Sequence, residues 1–303
     1  MSNLFIILKQ LLIMFLFMLV GFLLYKNKKI DNEGSKSIAN LLIYIVLPCS
    51  ILTSYINNNM EIPSKLFLAS IALSLLCLMI SILISSLLFK DKAIDNFGVS
   101  FSNAGFMGIP IITSVLDEKY LIYASGYIAL LNILQYFYGQ KLLLGETILK
   151  NKLDMIKNPL VISFFIGVTI YTFQYQVSDV FNSFIKSLAS INSPLAMILL
   201  GTYIAQVRGV SSFLNKNLVI SSMVRLLIIP ITTIFIFKVL NVNKEIILPL
   251  IICVSAPVGS NLAVYAQKLD KDYIYSVELV SVSTVLYLAT MPIILQLADL
   301  ILV

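Results

Sequence analysis

Two short stretches hold the residues of this chain best suited to binding chemistry. One is Ser102-Asn103-Ala104-Gly105-Phe106-Met107-Gly108-Ile109-Pro110, the other Ser255-Ala256-Pro257-Val258-Gly259-Ser260-Asn261. Each sets proline, glycine, serine and asparagine inside an otherwise apolar run. Proline removes an amide donor and its ring clashes with the preceding turn, which frees backbone carbonyls. Glycine permits a bend and close backbone approach. A helix that restarts after such a break presents unpaired amides with partial positive charge, a setting for a carboxylate or another anion. Asn103 and Asn261 add side chains that both donate and accept. Asn103, Gly105, Gly108, Pro110, Ser255, Pro257, Gly259 and Asn261 are therefore the candidate substrate-binding and crossover residues. For one stretch alone, a packed kink without a ligand is the simpler reading. Two in equivalent places, each with an adjacent Asn, favour a site.

Other polar residues lie within apolar runs. Asn132, Gln135 and Tyr138 recur at helical spacing and form either a polar lining of the site or an interhelical contact stripe. Gln267, with Tyr265, closes the second stretch and is read the same way. Arg225 and Glu278 each sit roughly 10–13 Å inside a helix end, at 1.5 Å per residue. An unpaired charge at a helix centre costs about 2.5–3.5 kcal/mol on insertion scales. An intramembrane ion pair between the two offsets much of that cost. Snorkelling to the headgroups, or direct coupling to an ion, are the alternatives.

Several chemistries find no residues to perform them. Histidine is absent, and with it the commonest metal ligand and general base. Cys49, Cys77 and Cys253 are an odd set inside apolar runs, read as small buried hydrophobes. No metal site, cofactor or catalytic residue is expected, and no phosphate-binding Gly-x-x-x-x-Gly-Lys-Ser/Thr occurs. The formal charge of +6 does not call for nucleic acid, because the lysines are spread over short loops.

The elements that must position these residues are membrane helices. Of 303 residues, 59% are hydrophobic and 12% charged, far from the roughly quarter-charged composition of a soluble domain. Apolar runs of about 20 residues span a bilayer as helices, because lipid cannot satisfy backbone amides. The runs predict about ten transmembrane helices: 4–24, 37–55, 66–89, 94–116, 120–140, 159–174, 181–206, 217–238, 246–267 and 273–298. The first run lacks a small-residue cleavage pattern and reads as a retained helix. With both termini extracytoplasmic, 14 Lys and Arg fall in cytoplasmic loops against 6 outside, as the positive-inside rule requires.

Five helices per half would invert the second half relative to the first. Gly21 and Gly167, Pro48 and Pro194, and Pro110 and Pro257 recur at offsets of 146, 146 and 147. The chain is thus read as an all-α polytopic membrane protein of two inverted five-helix repeats, 1–150 and 151–303, with broken helices four and nine crossing. Inverted repeats with interrupted helices are a signature of secondary transporters.

At these residues the sequence resembles the auxin efflux carrier family, in its bacterial form. Ser102 to Pro110 looks like the fourth-helix motif, and Ser255 to Asn261, with Ala263, Tyr265 and Ala266, like the ninth. Ser193-Pro194 to Gly201 resembles the seventh helix, and Ser283-Thr284 before Met291-Pro292 the tenth. The resemblance implies a fold like that of sodium/proton antiporters and bile-acid symporters. In it, helices one, two, six and seven form a scaffold and dimer panel, and helices three to five and eight to ten a core that moves elevator-fashion. It also implies a small carboxylate such as malate or malonate as substrate, with Asn103 the foremost contact. The long central loop of the large plant carriers is missing here.

The reading is therefore a secondary transporter or permease for a small organic anion in the cell membrane, working as a homodimer and driven by an unidentified ion, Na⁺ or H⁺, or by none. A sodium-coupled symporter of the bile-acid type is the alternative within transport. A membrane ligand sensor is the alternative from another class, and an enzyme is not expected.

Overall fold

The computed structural model describes residues 2–56, 63–144, 158–207, 209 and 215–302. The loop charges counted at Lys150, Lys152, Lys157 and Arg208, and the boundary between the two halves, lie outside them. The chain is an all-α polytopic membrane protein. Its elements are α1 (Ser2–Lys26), α2 (Asn32–Ile56), α3 (Ser64–Leu88) and α4, broken into α4a (Ala93–Ser100) and α4b (Ala104–Val115). Next come α5 (Glu118–Leu144), α6 (Pro159–Thr172), α7 (Asp179–Gln206) and α8 (Lys216–Val239). The last are α9, broken into α9a (Lys244–Ser255) and α9b (Asn261–Lys268), and α10 (Tyr273–Leu302). Among the described residues seven helices are long and apolar enough to cross a membrane; α4b and α6 are shorter apolar helices. The order reproduces the ten segments read from the sequence.

Local chemistry explains where the helices start. Asn158, Asn215 and Asn243 cap α6, α8 and α9a, each accepting a hydrogen bond from the amide two residues on. Pro159 follows Asn158 at the first helical position, where its missing amide costs nothing. Serine and threonine hydroxyls inside the helices donate to carbonyls three or four residues back, as Ser74 and Ser81 do in α3. That keeps them satisfied where no water competes.

Among the described residues, four helices contain one π-helical turn: Leu42–Val46 in α2, Ala104–Gly108 in α4b, Gln135–Gly139 in α5 and Val224–Ile228 in α8. Three of these end two residues before a proline, namely Pro48, Pro110 and Pro230. The additional residue lets the helix pass the proline ring without a clash onto the carbonyl one turn back. The signal was a proline inside an apolar run; the widened turn is its resolution.

Packing pairs α1 with α7 and α6 with α2. A Cβ placed on Gly21 would overlap the Ile198 carbonyl, and one on Gly201 would overlap the Met18 carbonyl. The backbones of α1 and α7 therefore touch directly, the close approach that small residues permit in membrane helices. Gly167 of α6 packs against the Tyr55 ring of α2 in the same way. The remaining helices surround the two breaks. At one end of this group the buried Asp95 of α4a accepts from Ser221 Oγ of α8 (2.5 Å) and Tyr275 Oη of α10 (2.9 Å).

Candidate functional site: the crossover of two broken helices

The two breaks meet. Ser102 faces Val258 in an antiparallel bridge. The Asn103 amide donates to the Pro257 carbonyl (2.7 Å), and the Gly259 amide to the Phe101 carbonyl (3.0 Å). Each segment is extended for only a few residues, Phe101 with φ −120° and ψ 115° and Ala256 with φ −58° and ψ 149°. A neighbouring helix holds each bridge residue. Tyr127 of α5 hydrogen-bonds Ser102 Oγ (3.1 Å), and Ser283 of α10 accepts from the Val258 amide (3.1 Å). Tyr127 and Ser283 each stand 25 residues beyond the bridge residue they hold.

This register corrects the pairing of prolines inferred from offsets. Pro257 sits one residue before the crossing point, whereas Pro110 lies eight residues beyond Ser102, in the first turn after the π-helical turn. The two are not equivalents. The first segment is broken because the Asn103 amide bonds across to the other segment instead of back along its own helix. Pro110 has a different effect. With no amide of its own it leaves the Gly105 carbonyl without a donor in the π-helical register, and Asn192 Nδ2 of α7 donates to that carbonyl (3.3 Å).

On one side of the crossing lies a cavity lined by Ser102 through Phe106, Gly259 through Asn261, Asn132 and Gln135, and closed by Leu47, Ile128, Leu131 and Leu160. The free space for a water-sized body is about 20 Å³, which holds one water. Its polar groups are serine, asparagine and glutamine side chains, and two of their amide donors are unpartnered. Asn261 Nδ2 donates to Gln135 Oε1 (2.9 Å), which turns Gln135 Nε2 toward Gly259. Gln135 Nε2 and Asn103 Nδ2 are both buried and lack a hydrogen-bond partner. Asn132 Nδ2 is satisfied by the Ile128 carbonyl of its own helix (2.8 Å). The starts of α4b and α9b also face this space; at α9b the Leu262 and Ala263 amides turn back to the Gly259 and Ser260 carbonyls (3.0 and 3.1 Å). Gly259 is closely approached: a Cβ on it would lie 3.2 Å from the Ser102 carbonyl and 3.3 Å from the Phe101 carbonyl, so either would have to give by a few tenths of an ångström.

The expected residues divide accordingly. Asn103, Gly105, Gly259, Asn261, Asn132 and Gln135 come together at the cavity. Pro257 belongs to the crossing strand, and Gly108 packs against Cys253 of α9a. Ser255 is buried at the end of α9a with its hydroxyl unpartnered, away from the cavity lining. Tyr138 turns outward to Ser86 of α3 (3.1 Å), and Gln267 is exposed. Glu278 is buried on α10, among the residues around Tyr275.

Arg225 is fully buried. Its Nη1 donates to the Val99 carbonyl (3.0 Å) and, at 3.5 Å, to the Ser100 carbonyl; its Nη2 donates to the Val254 carbonyl. Its two terminal nitrogens are thus held by backbone carbonyls, while its Nε is buried without a hydrogen-bond partner. Sequence reasoning also missed Asp95 and Asn192, both buried polar residues whose signal was a polar side chain in an apolar span. It missed the holding role of Tyr127 as well, for which one sequence gives no signal.

Crossed broken helices, with half-helix starts on one side and the helix ends tied on the other, are the arrangement on which secondary transporters build their sites. A family model for membrane transport proteins matches residues 6–151 and 141–295. The chain belongs to that family, the one that includes the auxin efflux carriers. No curated protein matches it in sequence.

Proposed function

We propose that this protein is a secondary transporter or permease for a small organic anion, a carboxylate such as malate or malonate, in the cell membrane. The observation carrying this reading is the pair of buried, unpartnered amide donors, Asn103 Nδ2 and Gln135 Nε2, beside two half-helix starts. A carboxylate is an acceptor-only group that such donors satisfy. Burying donors without partners costs about 1–3 kcal/mol each, a cost that a bound anion removes. The narrow cavity fits a closed state, and α2, whose Leu47 closes it, together with Asn192 of α7, forms the wall to be parted.

On this reading α1, α2, α6 and α7 are the scaffold and dimer panel, and the helices around the crossover move as one body, elevator-fashion. The similar spacing of Ser102 to Tyr127 and Val258 to Ser283 supports the division into inverted repeats at 1–150 and 151–303. Both termini face outward, as the loop charges favour. Uptake of labelled malate and malonate into proteoliposomes tests the function. Saturable uptake that Asn103→Ala weakens is expected. Stabilisation of the purified protein by neutral solutes and by no carboxylate would sink the reading.

A further inference from the structure

The carbonyls that Arg225 holds are those the crossover itself leaves without donors. In an unbroken helix the Val99 carbonyl would accept from the amide of residue 103, and the Val254 carbonyl from that of residue 258. Here the Asn103 amide goes to Pro257 and the Val258 amide to Ser283. Both carbonyls are orphaned for the same reason, and one guanidinium takes both, with Nη1 on Val99 and Nη2 on Val254. The electrostatics match in size as well as sign. Each helix C-terminus carries roughly −0.5 charge, so the ends of α4a and α9a together carry about −1, which one Arg cancels. Arg keeps its proton in proteins, and its planar fork spans two acceptors where a Lys ammonium is a point charge.

In carriers built on broken helices, half-helix C-termini and unwound carbonyls are where a coupling Na⁺ is coordinated. We propose that Arg225 is a resident cation occupying that position, so that substrate binding by this carrier needs no Na⁺ there. Arg225 is thus a positioning residue that holds the two half-helices in register and supplies the charge a bound ion would otherwise supply. The inference rests on reading the chain as an anion carrier only for its effect on substrate. Its effect on stability is independent of any substrate.

The test uses purified full-length protein in detergent or nanodiscs. Unfolding temperature and malate binding are measured in Na⁺ and in choline, for wild type, Arg225→Ala, Arg225→Lys and Arg225→Gln. Wild type and Arg225→Lys are expected to be indifferent to Na⁺. Arg225→Ala and Arg225→Gln are expected to lose about tenfold in malate affinity. They are also expected to gain a saturable rise in unfolding temperature with Na⁺ or millimolar guanidinium. Where Arg225→Ala does not fold, wild type and the Lys and Gln variants decide. Saturable Na⁺ dependence of wild type, a folded Arg225→Ala that responds to no cation, or Lys and Gln variants that behave alike would each overturn the proposal. Absence of carboxylate binding by wild type would instead remove the anion reading and leave the cation response to judge Arg225.

Discussion

The first broken segment passes from Ser102 to Asn103 and then into a π-helical turn, with Pro110 still ahead. The second has its proline at the crossing itself and runs through Gly259 directly into α9b. Their asparagines differ accordingly. Asn261 Nδ2 is engaged with Gln135, whereas Asn103 Nδ2 is buried with no partner. An asparagine already paired positions its neighbour; one left unpaired at the same site is open to a ligand. On the anion-carrier reading proposed above, the second segment is the frame and the first offers the contact.

The largest effect expected from disturbing this difference is at Gly259. Replacing it with Val forces a side chain onto the Ser102 and Phe101 carbonyls and onto Gln135 Nε2. Transport should be abolished and stability should fall by about 1–3 kcal/mol, the usual cost of overpacking, as read by uptake and by thermal unfolding.

Asn103→Ala and Asn261→Ala then separate ligand contact from frame. The first removes a group that makes no side-chain amide bond. It should weaken carboxylate binding about 10- to 100-fold, since a hydrogen bond to a charged group is worth about 1.5–3 kcal/mol, and leave the unliganded protein no less stable, since an unpaired buried donor is removed. The second leaves Gln135 Oε1 without its donor, so it should lower stability by about 1–2 kcal/mol. Equal losses of stability in the two variants would erase the distinction. A smaller effect is expected from Ser283→Ala, which strands the Val258 amide at a cost of about 1 kcal/mol. Smallest is Asn192→Ala. It removes the long 3.3 Å bond to the Gly105 carbonyl across the cavity wall. Its mark should be a modest change in transport rate with affinity unchanged, seen in uptake kinetics.

How much of this was legible varies residue by residue. Asn103 and Asn261 were found because asparagine beside glycine and proline is conspicuous in an apolar run. Their different roles were not, because role depends on whether Gln135, 126 residues away from Asn261, reaches one or the other. Gln135 and Asn132 shared a helical stripe with Tyr138. Only the widened turn at Gln135–Gly139 and the Ser86 hydroxyl decide that Tyr138 leaves the site. Arg225 was recognised as costly, but its partners are carbonyls, and carbonyls carry no sequence signature.

The sequence by itself determined that the chain is a bundle of membrane helices, roughly where each begins and ends, and which two are broken. It did so because length of apolar run, asparagine caps and proline are local properties, enforced by a solvent that tolerates no unpaired amide. The tertiary structure alone decided the register of the crossing, with Ser102 against Val258. It also decided that Pro110 frees the carbonyl that Asn192 bonds, and that Arg225 closes both helix ends. Those outcomes depend on which backbone groups remain unpaired after the helices cross, and that is settled only when both segments are in place.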